Sequence, residues 1–122
     1  MPWYRTLIAI VFAGVLWAPA AVLAHAHLDR AMPAAGSTLK EPLKEVVLWF
    51  TEAVEPKFSS IEVRDAKGAA VHEGQANGVS GNTAQLRVGL KSLTPGTYTV
   101  KWRVLSVDTH RSQGDFTFRI AP

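Results

Sequence analysis

After residue 24 the chain alternates apolar and polar side chains with a period of two over most of its length. Val46, Leu48 and Phe50 share one face of a segment whose other face carries Val47 and Trp49. Tyr98, Val100, Trp102 and Val104 alternate with Thr97, Thr99, Lys101 and Arg103, and Phe116, Phe118 and Ile120 alternate with Asp115, Thr117 and Arg119. Successive strand side chains point to opposite faces, so each pattern predicts a half-buried strand. Phe58, Ile61 and Val63 lead into a turn at Asp65-Ala66-Lys67-Gly68, a short strand follows at Ala69 to Glu73, and a weaker one spans Gln85 to Val88. Further turn chemistry stands at Pro33 to Ser37, Gly78 to Asn82 and Thr94-Pro95-Gly96. A long helical stripe is missing after residue 24, and Pro42 interrupts the stretch from Leu39 to Lys44. About seven short strands in one small chain predict an all-β domain, a small antiparallel Greek-key β-barrel or Ig-like sandwich.

The first residues follow a different rule. Arg5 precedes an apolar run from Leu7 to Val15 broken by Gly14, and Ala18-Pro19-Ala20-Ala21 leads to the small-residue cleavage pattern Val22-Leu23-Ala24. Residues 1–24 read as a secretory signal peptide, with a domain over residues 25–122 and a periplasmic address. A retained membrane anchor is the rival reading, because Leu7 to Ala24 is nearly long enough to span a bilayer. A cut after Ala26 would expose His27 instead, but Val22 at the third position before the cut favours cleavage after Ala24.

Composition narrows the chemistry. Residues 25–122 suffice for one small core and no second domain. Cysteine is absent, so the exported domain has neither disulfides nor a thiolate metal site, and any metal must be held by nitrogen and oxygen. The net charge is +3 with both signs interspersed. That pattern gives no support to nucleic-acid binding.

The four histidines are His25, His27, His72 and His110. In an extended segment residues two apart face the same side, so Asp108 and His110 in Ser106-Val107-Asp108-Thr109-His110 can present a carboxylate and an imidazole together. Cleavage after Ala24 would give His25 a free amine beside its imidazole. Two imidazoles, an amine and a carboxylate form a nitrogen-rich set suited to Cu(II). Taken alone, Asp-x-His is an ordinary turn pattern, and His-x-His at a terminus is an ordinary frayed end; their coincidence with the cleavage site raises the metal reading above both. His72 reads as exposed and without a partner, and Glu52, at a strand end, as a solvent-facing acid.

The start His25-Ala26-His27-Leu28, the segment Met32-Pro33-Ala34-Ala35-Gly36-Ser37, the strand end Leu48-Trp49-Phe50-Thr51-Glu52 and the long segment Thr94 to His110 resemble the CopC family of periplasmic copper-binding, copper-resistance proteins. The resemblance covers essentially all of residues 25–122. It implies a Greek-key barrel or Ig-like sandwich that binds one Cu(II) through His25, Asp108 and His110, with Glu52 and His27 as additional or outer contacts. It also implies the copper ion as cargo, an inner-membrane transporter of the CopD type as partner, and a monomer. Members with a methionine-rich loop hold Cu(I) as well. Here Met1 leaves with the leader and Met32 alone remains, so no such Cu(I) site is expected. Two other classes compete: a copper monooxygenase-like enzyme, which also begins with a chelating histidine but needs an open coordination position and a broad substrate face, and a metal-free Ig-like adhesion module. No catalytic nucleophile or acid-base pair is evident, so an enzyme is not expected.

Overall fold

The two long alternating segments pair with each other, Gly96–Leu105 with Arg111–Ile120 in continuous antiparallel register from Gly96↔Ile120 to Leu105↔Arg111. The computed structural model describes Gly14 and residues 26–122. Among the described residues there are eight strands: β1 (Leu28–Met32), β2 (Thr38–Leu39), β3 (Glu45–Phe50), β4 (Ser60–Arg64), β5 (His72–Val79), β6 (Asn82–Leu90), β7 (Gly96–Leu105) and β8 (Arg111–Ile120). One 3-10 turn covers Pro56–Phe58. No helix among the described residues is long and apolar enough to cross a membrane. The signal-peptide segment lies outside the described residues except for Gly14.

Two four-stranded sheets face each other, ordered β1-β3-β6-β5 and β2-β8-β7-β4. All pairings are antiparallel except the short β2 against β8. The inward rows Val46, Leu48 and Phe50 of β3, Leu86, Val88 and Leu90 of β6, and Tyr98, Val100, Trp102 and Val104 of β7 meet Phe116, Phe118 and Ile120 of β8 in a single core. Phe50 meets Trp102 edge-on at 5.3 Å, and Tyr98 stacks on Phe118 at 5.4 Å. Gly114 gives the Trp102 indole its place: a Cβ there would stand 2.5 Å from Cζ2 of the ring.

Of the eight strands, β1 and β2 are the two that no pattern in the sequence marks, being too polar or too short to show a period. β5 also differs. It runs to Val79 rather than ending at Glu73, because Gly74 at φ +69° and a register shift between Glu73 and Asn77 break the alternation that would have revealed it.

Candidate functional site

The β7–β8 hairpin closes through Ser106 to His110, and this turn builds the candidate metal centre. The Ser106 N–H donates to His110 O at 2.9 Å and the Thr109 N–H to Ser106 O at 2.9 Å, while Thr109 takes φ +73°. A β-turn followed by a left-handed residue is a familiar three-residue hairpin loop. Asp108 and His110 are therefore gathered by a turn, and the extended segment expected from their spacing is not what unites them. His110 Nδ1 lies 3.3 Å from Asp108 Oδ1.

Ser106 organises the pair. It is fully buried, its hydroxyl donates to the Asp108 carboxylate, and its Oγ accepts the His110 N–H at 3.1 Å. The Ser106 hydroxyl holds the Asp108 carboxyl below its ordinary range; partial desolvation opposes this, and His110 reinforces it through hydrogen bonding and charge. The result is an ionised carboxylate beside an imidazole on a braced turn.

Two other chain segments reach the same end of the sandwich. Residues 51–55 leave β3 and cross to the hairpin, where Ala53 O accepts the Val107 N–H at 3.0 Å and the Glu55 N–H donates to Leu105 O at 2.8 Å. The start of the described chain arrives beside them. Ala26 is fully buried in the core, its carbonyl accepts the Ser112 hydroxyl at 2.6 Å, and Thr51 exchanges bonds with His27, accepting the His27 N–H on Oγ1 at 3.0 Å and donating its N–H to His27 O at 2.8 Å.

Asp108 and His110 are thus brought together. His27 is exposed at the entrance to β1, and Glu52 is half-buried between the anchored residues Thr51 and Ala53. Among the described residues no group of three or more His, Cys, Asp and Glu side chains stands close enough to hold a metal ion. His25 lies outside the described residues. His72, expected to be exposed and partnerless, is instead half-buried, and its Nδ1 accepts the Val63 N–H at 3.0 Å. The imidazole caps the edge strand β4, a use that no feature of Val71-His72-Glu73 announces. Sequence reasoning also missed Ser106 and Ser112, since a serine in a strand or turn is unremarkable until its partner is known.

The chain matches the CopC domain model over residues 28–121. It is 39% identical over 100 residues to the protein YobA of Escherichia coli strain K12, covering 81% of each chain. Against copper resistance protein C of Pseudomonas syringae pathovar tomato it is 34% identical over 122 residues, covering 95% of this chain and 96% of that one. The crystal structure of CopC from Methylosinus trichosporium OB3b superposes with a TM-score of 0.76 at 36% identity, over 80% of this chain and 95% of its own. With the two-sheet sandwich, the Asp108–His110 pair and a family match spanning nearly the whole described domain, the chain belongs to the CopC family.

Proposed function

We propose that this protein binds one Cu(II) per mature chain in the periplasm and sequesters it or hands it to an inner-membrane transporter of the CopD type. CopC-family proteins are copper-binding proteins and not enzymes, within a group of copper-resistance and copper-transport proteins. The observation that carries the reading is the braced Asp108–His110 pair beside the anchored Ala26. Cleavage after Ala24 makes His25 the first residue, covalently next to Ala26, with an amine and an imidazole to complete the set. Asp108 supplies an anionic oxygen, His110 and His25 supply nitrogens, and His27 and Glu52 serve as outer contacts. Such a nitrogen-rich tetragonal set favours Cu(II). With one methionine in residues 25–122, a thioether cluster for Cu(I) is not part of this proposal. The protein acts as a monomer.

Binding displaces the proton of the terminal amine, which ordinarily titrates at about 8, so affinity rises with pH through that range. The test compares the correctly processed protein with the same domain carrying an extra glycine before His25, by copper competition titration with circular dichroism as the folding control. Loss of the chelate should lower affinity by about a hundredfold or more. Equal affinities would mean that side chains alone hold the metal, and signal cleavage would no longer be the step that builds the site.

A further inference from the structure

Ser112 lies two residues beyond His110 on β8, and its hydroxyl donates to the carbonyl of Ala26, 86 residues earlier, at 2.6 Å. On the facing sheet Thr51 holds the next residue, His27, through both its N–H and its carbonyl, at 3.0 and 2.8 Å. The β8 and β3 ends therefore grip residues 26 and 27 from opposite sheets, and Ala26 between them is fully buried. None of these hydrogen bonds involves a metal ligand atom, so the grip is complete in metal-free protein.

We infer that Ser112 is a positioning residue for the copper site: with Thr51 it forms a clasp that docks the chain start before metal arrives and whose opening governs copper release. This rests on the proposed role of His25 as an amine-and-imidazole ligand. A terminus held by metal alone would pay its full ordering entropy on binding, whereas a clasped one has paid most of it during folding. The clasp also sets the route out. Asp108 and His110 sit on a braced hairpin, and the residues gripped by Ser112 and Thr51 are the ones joined to His25, so opening the clasp withdraws both His25 donors in one movement. The gain should appear mainly as slower dissociation, as it does for most affinity differences within one binding site.

The experiment pairs Ser112→Ala with Ser112→Thr, which keeps the hydroxyl. In metal-free protein, amide hydrogen exchange at His27 should speed up by about tenfold in Ser112→Ala and return toward the parent rate in Ser112→Thr, in line with loss of one net hydrogen bond. Copper dissociation from the processed domain should accelerate by about tenfold in Ser112→Ala. In the form with an extra glycine before His25, the same substitution should change affinity by less than about twofold, because the chelate it positions is gone. Equal losses with and without the extra glycine would show that Ser112 acts through the fold, and unchanged exchange at His27 would show that no clasp exists; either result overturns the inference. If the processed parent binds no copper, the proposed function fails on its own, while the exchange measurement still decides whether the clasp forms.

Discussion

Two turns of this domain share one hydrogen-bond pattern and differ in what they carry. In the turn after β4, the Asp65 N–H donates to Ala69 O at 2.9 Å, the Gly68 N–H donates to Asp65 O at 3.0 Å, and Gly68 takes φ +84°. In the turn after β7, Ser106, Thr109 and His110 repeat those bonds at 2.9 and 2.9 Å, with Thr109 at φ +73°. Each first residue also braces the turn with its side chain: Asp65 Oδ1 accepts the N–H groups of Lys67 and Ala69 at 2.9 Å each, and Ser106 Oγ accepts that of His110 at 3.1 Å. The Asp65–Ala69 turn shows what the backbone asks for, a bracing oxygen first and a glycine fourth. Lys67 and Ala69 are indifferent occupants of the third and fifth places. In the second turn those places hold Asp108 and His110, and the fourth holds a β-branched residue in a conformation that costs L-residues about 1–2 kcal/mol. Folding does not require these choices, so they point to a site.

The sharpest break of the comparison makes the second turn as plain as the first. Asp108→Ala and His110→Ala should each lower copper affinity by about a hundredfold or more, since each removes a donor from a chelate. Folding should survive, because the bonds that close the turn are backbone bonds and those of Ser106. His72→Ala is the control histidine. Its Nδ1 serves the Val63 amide, so its loss should cost about 1–3 kcal/mol of stability and leave affinity within about twofold. Competition titration and chemical denaturation read both quantities, and His72→Ala as the most damaging change for copper would move the site elsewhere.

Removing the brace is the next largest step. Ser106→Ala should lower copper affinity by about tenfold, through a carboxylate that loses its hydrogen-bond donor and a turn that loses its strut. Its second signature is a titration. The Asp108 carboxyl sits below its ordinary value, first because of the Ser106 hydroxyl. A group depressed in this way stabilises the fold above its ordinary range, and that contribution disappears as pH falls through its own lower value. In Ser106→Ala the Asp108 titration should therefore move up toward the ordinary carboxylate range, so that the contribution is smaller and its acid loss is complete at a higher pH. Side-chain carbon resonances of Asp108 measure this directly, and an unmoved titration would remove Ser106 from its role.

The same pair of turns shows which features a sequence exposes. The strands β3, β7 and β8 were legible because each has a buried face and an exposed one, and the Asp65–Gly68 turn because glycine marks it. Ser106–His110 offers no glycine or proline, so its residues read as an extension of β7, and Asp108 and His110 were paired through an extended geometry they do not adopt. β5 was cut short by its bulge, and β2 spans two residues, too few for any period. The polar contacts were the least legible. Ser106 acts on residues two and four positions away, but Ser112 on Ala26 and His72 on Val63 are contacts that only the folded sandwich creates.

The smallest change gives the second turn the residue the first one has. Thr109→Gly removes a β-branched side chain from a left-handed backbone, a gain of about 1–2 kcal/mol, while the freer unfolded glycine takes back about 0.5–1 kcal/mol. The net expectation is a domain more stable by up to about 1 kcal/mol, seen as a higher denaturation midpoint at unchanged slope. Copper affinity should stay within about twofold, because the bonds that set the turn come from Ser106 and the backbone, and no side-chain bond of Thr109 takes part. If stability instead falls, the threonine contributes packing or hydrogen bonding that outweighs its strain, and the two turns are not equivalent frames. If stability rises but copper affinity drops by tenfold, the strain itself holds Asp108 against His110, which would make the turn a preloaded element of the metal site rather than a neutral support for it.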